Sequence, residues 1–214
     1  MTLNVLASNH LFATLIAGFA GLSCTSATAQ SFDWAGPYGG LHLGYAVGES
    51  TAVPIDVNDP SDVKGAFLGA QIGYNFQSGP WVYGVEADVS TTNIENDLAG
   101  GTIVNRDEYV ELNWMATLRG RAGYAFNKTL VYGTIGAAAA NVTAIDWDAG
   151  PESATNNHSG LALGAGVEFA ISDRSTLVAE YQHVDLEDEV YDLGDPDTVG
   201  VSSSQIKLGF NLHF

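Results

Sequence analysis

Glu86, Asp88, Arg119, Arg121, Glu168, Glu180 and Lys207 all fall in stretches where polar and large apolar residues alternate. A strand turns successive side chains to opposite faces. Each of these ionised groups therefore shares a face with glycine, threonine, asparagine or glutamine and turns its back on leucine, valine and tyrosine. Four carboxylates and three cations on such a face can pair and hydrogen-bond wherever water is scarce, because an unpaired buried charge is very costly. Catalysis is the rival reading. Ser, His and Asp are all present, but spacing alone assembles no triad. His42 and His213 lie on the polar face of the first and last alternating segments. Antiparallel pairing of those segments sets His213 near the start of the first, several residues from His42, so hydrogen-bonding histidines are expected rather than a metal pair. His183 falls on the apolar face near a rim. "GLALGAGVEF" is not a G-x-G-x-x-G opening a helix and is no nucleotide fingerprint. "DVNDPSD" and "DLEDEVYDLGDPD" are dense enough in carboxylate to recruit Ca²⁺ or Mg²⁺ loosely, yet neither has the calcium-loop pattern with its sixth-position glycine. The expectation is no catalytic residue, no metal site and no cofactor.

The elements that position these groups are strands. Period-2 alternation marks eight segments, at about 36–47, 65–76, 81–90, 112–126, 129–140, 159–171, 175–185 and 203–214. The fifth, with "GTIGAAAA", alternates poorly, and its facing is open. Outside the N-terminal stretch no segment has the 3.6-residue period of an amphipathic helix. The links after segments two, four and six are short ("QSGP", "NK", "SDR") and carry the Gly, Pro, Asn and Asp of tight turns. Those after one, three, five and seven are long and polar, as in "GESTAVPIDVNDPSDV" and "LEDEVYDLGDPDTVGVSS". Short turns at one end and long loops at the other fit a closed up-and-down barrel across an outer membrane.

Which face looks inward follows from the glycines. One face collects Leu41, Leu43, Tyr45, Leu68, Ile72, Val85, Leu118, Leu163, Val167, Leu208 and Phe210; the other collects Gly40, His42, Gly44, Gly73, Asn75, Asn113, Thr117, Gly164 and Gly166 with the seven charges. A soluble barrel would bury the first face, but glycine weakens a solvated strand for no return. In an inverted barrel lipid accepts the large apolar face, and small residues relieve crowding in a narrow interior. Closure leaves no strand edge unpaired in hydrocarbon. Trp81, Tyr74, Phe76, Tyr124, Phe126, Phe169 and Phe214 sit near segment ends, where an aromatic girdle belongs. Eight strands enclose little more than side-chain volume, so a plugged, salt-bridged interior is expected.

Composition agrees. Seven Lys+Arg against 25 Asp+Glu leave a net charge of −18, which excludes the basic footprint of a nucleic-acid binder. A hydrophobic share of 46% is too high for a disordered acidic chain. Residues 1–29 read as a signal peptide: "LFATLIAGFAGL" is an apolar run too short to span a membrane comfortably, and Ala27-Thr28-Ala29 supplies the small-x-small cleavage site, although the n-region has no Lys or Arg. "GLSC" is a poor lipobox, with Gly21 three before Cys24. Cleavage after Ala29 leaves a cysteine-free domain over 30–214.

In order along the chain, "FDWAGPYGGLHLGYAVG", "GAFLGAQIGYNFQSGPWVYGVEADVS", "LNWMATLRGRAGYAF", "LVYGTIGAAAA", "GLALGAGVEFAISDRSTLVAEYQHVDL" and "IKLGFNLHF" resemble the small outer membrane β-barrel family of alphaproteobacteria. That family includes the major surface antigens of Brucella and related rhizobial proteins, and is distantly akin to opacity proteins. The resemblance covers nearly all of 32–214 apart from the long loops. It implies an all-β, eight-stranded antiparallel transmembrane barrel in the cell outer membrane, with periplasmic termini and exposed loops. It also implies that Phe210, Leu212 and Phe214 form the carboxy-terminal signal read by the barrel assembly machinery. The expected role is a structural, non-enzymatic envelope protein, with a small low-conductance porin and a surface adhesin or recognition module as rivals. Expected partners are outer membrane lipid and lipopolysaccharide, the assembly machinery during biogenesis, and divalent cations or a surface partner at the acidic loops; nucleic acid is not among them.

Overall fold

The computed structural model describes residues 32–53, 61–91, 102–105, 108–146, 152–192 and 196–214. The expected signal peptide lies outside the described residues, as do most of "DVNDPSD" and the middle of "DLEDEVYDLGDPD". The described strands are β1 (Gly36–Val53), β2 (Ser61–Ser78), β3 (Trp81–Thr91), β4 (Thr102–Asn105), β5 (Glu108–Phe126), β6 (Thr129–Asp146), β7 (Glu152–Ala170), β8 (Ser175–Asp192) and β9 (Pro196–His213). Each pairs antiparallel with its neighbours, β9 returns to β1, and β3 also pairs with β5, which closes the cylinder. Both β3 and β4 pair with β5, β4 further along it, so they share one stave. The barrel is eight-staved, as the alternation predicts.

Following the registers once round gives its geometry. Trp114 pairs with Thr91, Thr91 with Leu68, Leu68 with Leu43, Leu43 with Leu208, Leu208 with Ala179, Ala179 with Val167, Val167 with Val131, and Val131 with Tyr124. The walk returns to β5 ten residues from its start, at 124 instead of 114. A shear of that size in eight staves tilts the strands by roughly 40° and gives a backbone radius of about 8 Å. Such a cylinder is filled by side chains alone.

The short links are tight turns. Gly79-Pro80 and Asn127-Lys128 each join strands by two residues, and the first residue of each takes a left-handed backbone, φ 60 at Gly79 and φ 57 at Asn127. Hairpins of this length favour positive φ, which Gly and Asn adopt most readily. The third turn, 171–174, is held by Ile171 N–H donating to the Ser175 carbonyl at 2.9 Å.

At the opposite end the strands outrun the sequence reading. β1 continues to Val53 and β8 to Asp192, and pairing runs through much of the two expected loops, with Glu49 opposite Asp62 and Tyr191 opposite Asp197. The physical reason is that apolar alternation records where lipid touches a strand, whereas backbone pairing goes on in water without it. A second difference is a bulge between Leu112 and Trp114. It re-aims Asn113, expected inside, so that its amide bonds the outward Asn141 at 3.0 Å.

The outer surface is apolar and exposed. Leu41, Leu43, Leu68, Ile72, Val85, Leu118, Leu163 and Leu208 all face out, as do the seven predicted girdle aromatics. Trp81 packs edge-on to Tyr124, with centroids 5.2 Å apart. The interior is tiered. On β8 the inward residues Val178, Glu180, Gln182, Val184 and Leu186 read out the tiers in order: an apolar layer at the turn end, a polar layer, then a second apolar layer.

Candidate functional site: the polar layer of the barrel interior

The seven ionised residues singled out by their alternation come together between the two apolar tiers, none more than 5% exposed. Register places the first contacts. Glu86 on β3 lies directly opposite Arg119 on β5, and Glu180 on β8 lies opposite Lys207 on β9.

Arg119 is the hub. Its Nη2 donates to Glu86 Oε1 at 2.5 Å and to Asp88 Oδ2 at 3.1 Å; its Nη1 donates to Glu180 Oε1 at 2.6 Å and to Thr134 Oγ1 at 3.1 Å. One guanidinium thus spans carboxylates from two sides of the cylinder, which its planar fork of donors suits and a point-charge ammonium does not. Lys207 Nζ backs the same group, 3.6 Å from Asp88 Oδ2 and 3.5 Å from Glu180 Oε1.

Arg121 forms a second centre. Its Nη2 donates to Glu168 Oε2 at 2.8 Å, Nη1 donates to the Tyr38 hydroxyl at 2.8 Å, and its guanidinium carbon lies 4.0 Å from the Tyr132 ring centroid. Glu168 collects further donors on Oε1: Thr176 at 2.5 Å, Asn211 at 3.0 Å, and His213 Nε2 at 3.4 Å. The two centres are joined through Glu86, whose Oε2 accepts from Tyr38 at 2.6 Å and lies 3.6 Å from Arg121 Nη1.

Several members escaped sequence reasoning. Tyr38 continues the inward phase of Gly40, His42 and Gly44 two residues back, and extending that phase would have found it. Tyr132, which donates to Glu180 Oε2 at 2.8 Å, lies in the segment whose facing was open. Thr117, by contrast, was expected on the inward face, and its hydroxyl donates to Asp88 Oδ2. Glycine is the complementary signal: a Cβ at Gly73 would lie 2.3 Å from the Tyr38 ring, and one at Gly166 would lie 2.6 Å from the Tyr132 ring. The interior glycines are the spaces these rings occupy. Phe32 and Trp34 were also missed, because they precede the first alternating segment. Both are buried in the turn-end tier, and the Trp34 backbone N–H donates to Gln77 Oε1 at 2.8 Å.

The histidines do not meet. His213 pairs with Tyr38 and His42 with Gly209, four residues apart on β1. His42 contacts Gln71 Oε1 through Nδ1 and Ser90 Oγ through Nε2, each at 3.0 Å. Gln71 donates onward to Asn211, so His42 belongs to the same interior network. His183 is on the outer face beside Ser204. Phe210, Leu212 and Phe214 point outward from the end of β9, and the Phe214 N–H donates to the Pro37 carbonyl at 3.0 Å.

Residues 15–214 match the family model described as outer membrane protein beta-barrel domain. A 22 kDa outer membrane protein of Rhizobium leguminosarum bv. viciae is 34% identical over 183 residues, which is 84% of this chain and 80% of that protein. The 31 kDa outer-membrane immunogenic protein of Brucella melitensis biotype 1 is 30% identical over 208 residues, 88% of this chain and 83% of that protein. Among solved structures, the outer membrane protein OprG of Pseudomonas aeruginosa superposes with a TM-score of 0.51 at 14% identity, over 86% of this chain and 99% of that one. That last likeness is one of fold alone.

Proposed function

Since the chain belongs to the outer membrane protein β-barrel family and is a structural barrel of the cell outer membrane, we propose that it does its work without catalysis and without an open pore. The observation that carries this reading is the polar layer itself. Arg119, Glu168, Glu86 and Lys207 are at most 3% exposed and cross-bridge the cylinder from β3 to β9. A small radius, filled by paired charges and bounded by apolar tiers among the described residues, supports an interior closed to ions.

The reading without catalysis is supported at the interior place where a nucleophile and a base meet. Ser90 and His42 are 3.0 Å apart, the spacing of an activated hydroxyl. The base is oriented by Gln71 instead of a carboxylate, Ser90 is 4% exposed and His42 3%, and Phe67 packs edge-on to the imidazole. A substrate carbonyl has no approach.

The acidic loops belong to the outside of the cell in this reading and carry whatever recognition the protein performs, because they are free of the barrel's constraints. Lipopolysaccharide, and divalent cations bridging the loops to it, are the partners that chemistry suggests. Phe210, Leu212 and Phe214 serve as the assembly signal. The test is planar-bilayer recording of refolded protein whose folding is verified by heat-modifiable gel mobility. No reproducible open level is expected, and a stable one from folded protein would overturn the closed interior.

A further inference from the structure

Four residues that belong to no strand close the turn end of the barrel. Residues 32–35 precede β1 and dip into the cylinder instead of running along its wall. Phe32 and Trp34 turn inward and are buried with Val82 of β3, Leu130 and Tyr132 of β6, Ala170 of β7 and Val178 of β8, whereas Asp33 and Ala35 are exposed. The Phe32 ring lies edge-on to His213, with centroids 5.1 Å apart, and the Trp34 ring lies 6.0 Å from it. His213 in turn reaches Glu168 and stacks on Tyr38, so the two aromatic rings sit directly beneath the polar layer.

The chain leaves this position through a hinge. Asp33 Oδ1 accepts the Ala35 N–H at 3.0 Å, and Gly36 takes φ 110, a backbone that residues other than glycine rarely adopt. The hold on the segment is light. Two hydrogen bonds tie its backbone to the barrel, Phe32 N–H to the Asn127 carbonyl at 3.3 Å and Trp34 N–H to Gln77 Oε1 at 2.8 Å, and neither belongs to a sheet ladder. The Trp34 indole Nε1 is buried with no hydrogen-bond partner among the described residues, a cost that withdrawal relieves.

We propose that residues 32–35 are a hinged strap: docked, it bars water at the turn end from the charged layer, and it swings out while the barrel stays closed. The proposal goes beyond the closed-interior reading and rests on the outer-membrane reading only for the side the strap faces, the periplasm. The strap's contacts come from staves far apart in sequence and from the seam of β1 with β9, where Tyr38 pairs with His213. They exist together only once the cylinder has closed, so the strap docks after the staves join. The wall does not need it, since every stave pairs with its neighbours without these four residues. Met115, Ala138, Ala140, Ala162, Val184 and Leu186 lie on the far side of the polar layer. Release therefore wets His213 and Glu168 from one side and leaves that far tier dry.

Cys24 is the chain's single cysteine, so Cys24→Ser gives a background in which one introduced thiol reports. Val178→Cys places it in the turn-end tier and Val184→Cys in the tier beyond the polar layer. The full chain is refolded in detergent, its compact form is verified by heat-modifiable mobility, and labelling by a charged maleimide is timed. With the strap unaltered, both thiols are expected to react far more slowly than in the heat-unfolded chain. Phe32→Ala with Trp34→Ala should speed labelling at 178 by about tenfold or more, Gln77→Ala by about fivefold, and neither should speed it at 184. Where the double variant fails to form the compact species, Gln77→Ala alone decides. An unchanged rate at 178, or equal acceleration at 178 and 184, overturns the proposal; so does loss of the compact form in Gln77→Ala, which would make the segment part of the core. Fast labelling at 178 with the strap unaltered overturns it too, whereas fast labelling at 184 alone counts against the closed interior instead.

Discussion

Replacing Arg119 by alanine removes one guanidinium and strands three carboxylates at once. Two charges about 4 Å apart interact by roughly 4 kcal/mol at an effective dielectric of 20, so the gross attraction lost is large. The net cost is smaller because each carboxylate keeps one other cation: Glu86 has Arg121 at 3.6 Å, Asp88 has Lys207 at 3.6 Å, and Glu180 has Lys207 at 3.5 Å. These contacts are long, and two of them compete for one ammonium. Breaking a buried pair from one side costs about 3–5 kcal/mol, and the hub position of Arg119 sets the expectation at the upper end, about 5 kcal/mol. The assay is urea unfolding in lipid vesicles, read by heat-modifiable mobility and circular dichroism. Arg119→Met combined with Glu180→Gln and Glu86→Gln should recover more than half of the loss, since the stranded charges go with their partner. Planar-bilayer currents on the same samples should stay closed. A cost below about 1 kcal/mol, or a large new current at unchanged stability, would refute the view that this layer holds the staves together.

Two further substitutions probe the faces. Gly73→Val pushes a side chain into the Tyr38 ring and should cost roughly 2–3 kcal/mol by overpacking and by loosening the Tyr38 bonds to Glu86 and Arg121; Gly120→Ala, whose added carbon meets nothing nearer than 3.8 Å, should stay within about 0.5 kcal/mol, and equal costs would contradict the placement. Leu208→Arg puts a charge in mid-bilayer and should cost about 2–4 kcal/mol in vesicles, with spin labels at Leu163 and Leu208 reporting hydrocarbon; a neutral substitution with water-exposed labels would reverse inside and outside.

Most of the architecture was open to reading because lipid imposes a stringent pattern. Every residue that touches hydrocarbon must be apolar, so Leu41, Leu43 and Tyr45 or Leu161 and Leu163 announce strand, phase and facing together. The pattern says nothing beyond the band. Glu49 opposite Asp62 and Tyr191 opposite Asp197 are paired strand that composition alone presents as loop. Bulges are equally silent, since Asn113 fits the inward phase and only the register shows it to be the extra residue of a bulge.

The interior was legible in its charges and opaque in its rings, and the difference has a physical cause. An ionised group has no acceptable place on the lipid face, so alternation alone commits Arg119 or Glu168 to the inside. A tyrosine is acceptable on either face: Tyr74 and Tyr124 serve the girdle, while Tyr38 and Tyr132 complete the polar layer. What separates them is the neighbour across the strand. Tyr38 faces Gly73, and Tyr132 faces Gly166; a ring needs that vacancy only when it points into a cylinder of about 8 Å radius, since outward there is room for any side chain. An inward tyrosine in a barrel this narrow therefore implies a glycine at its register partner. That makes the glycines part of the charge network's specification, and the substitution at Gly73 tests it without touching a charged residue.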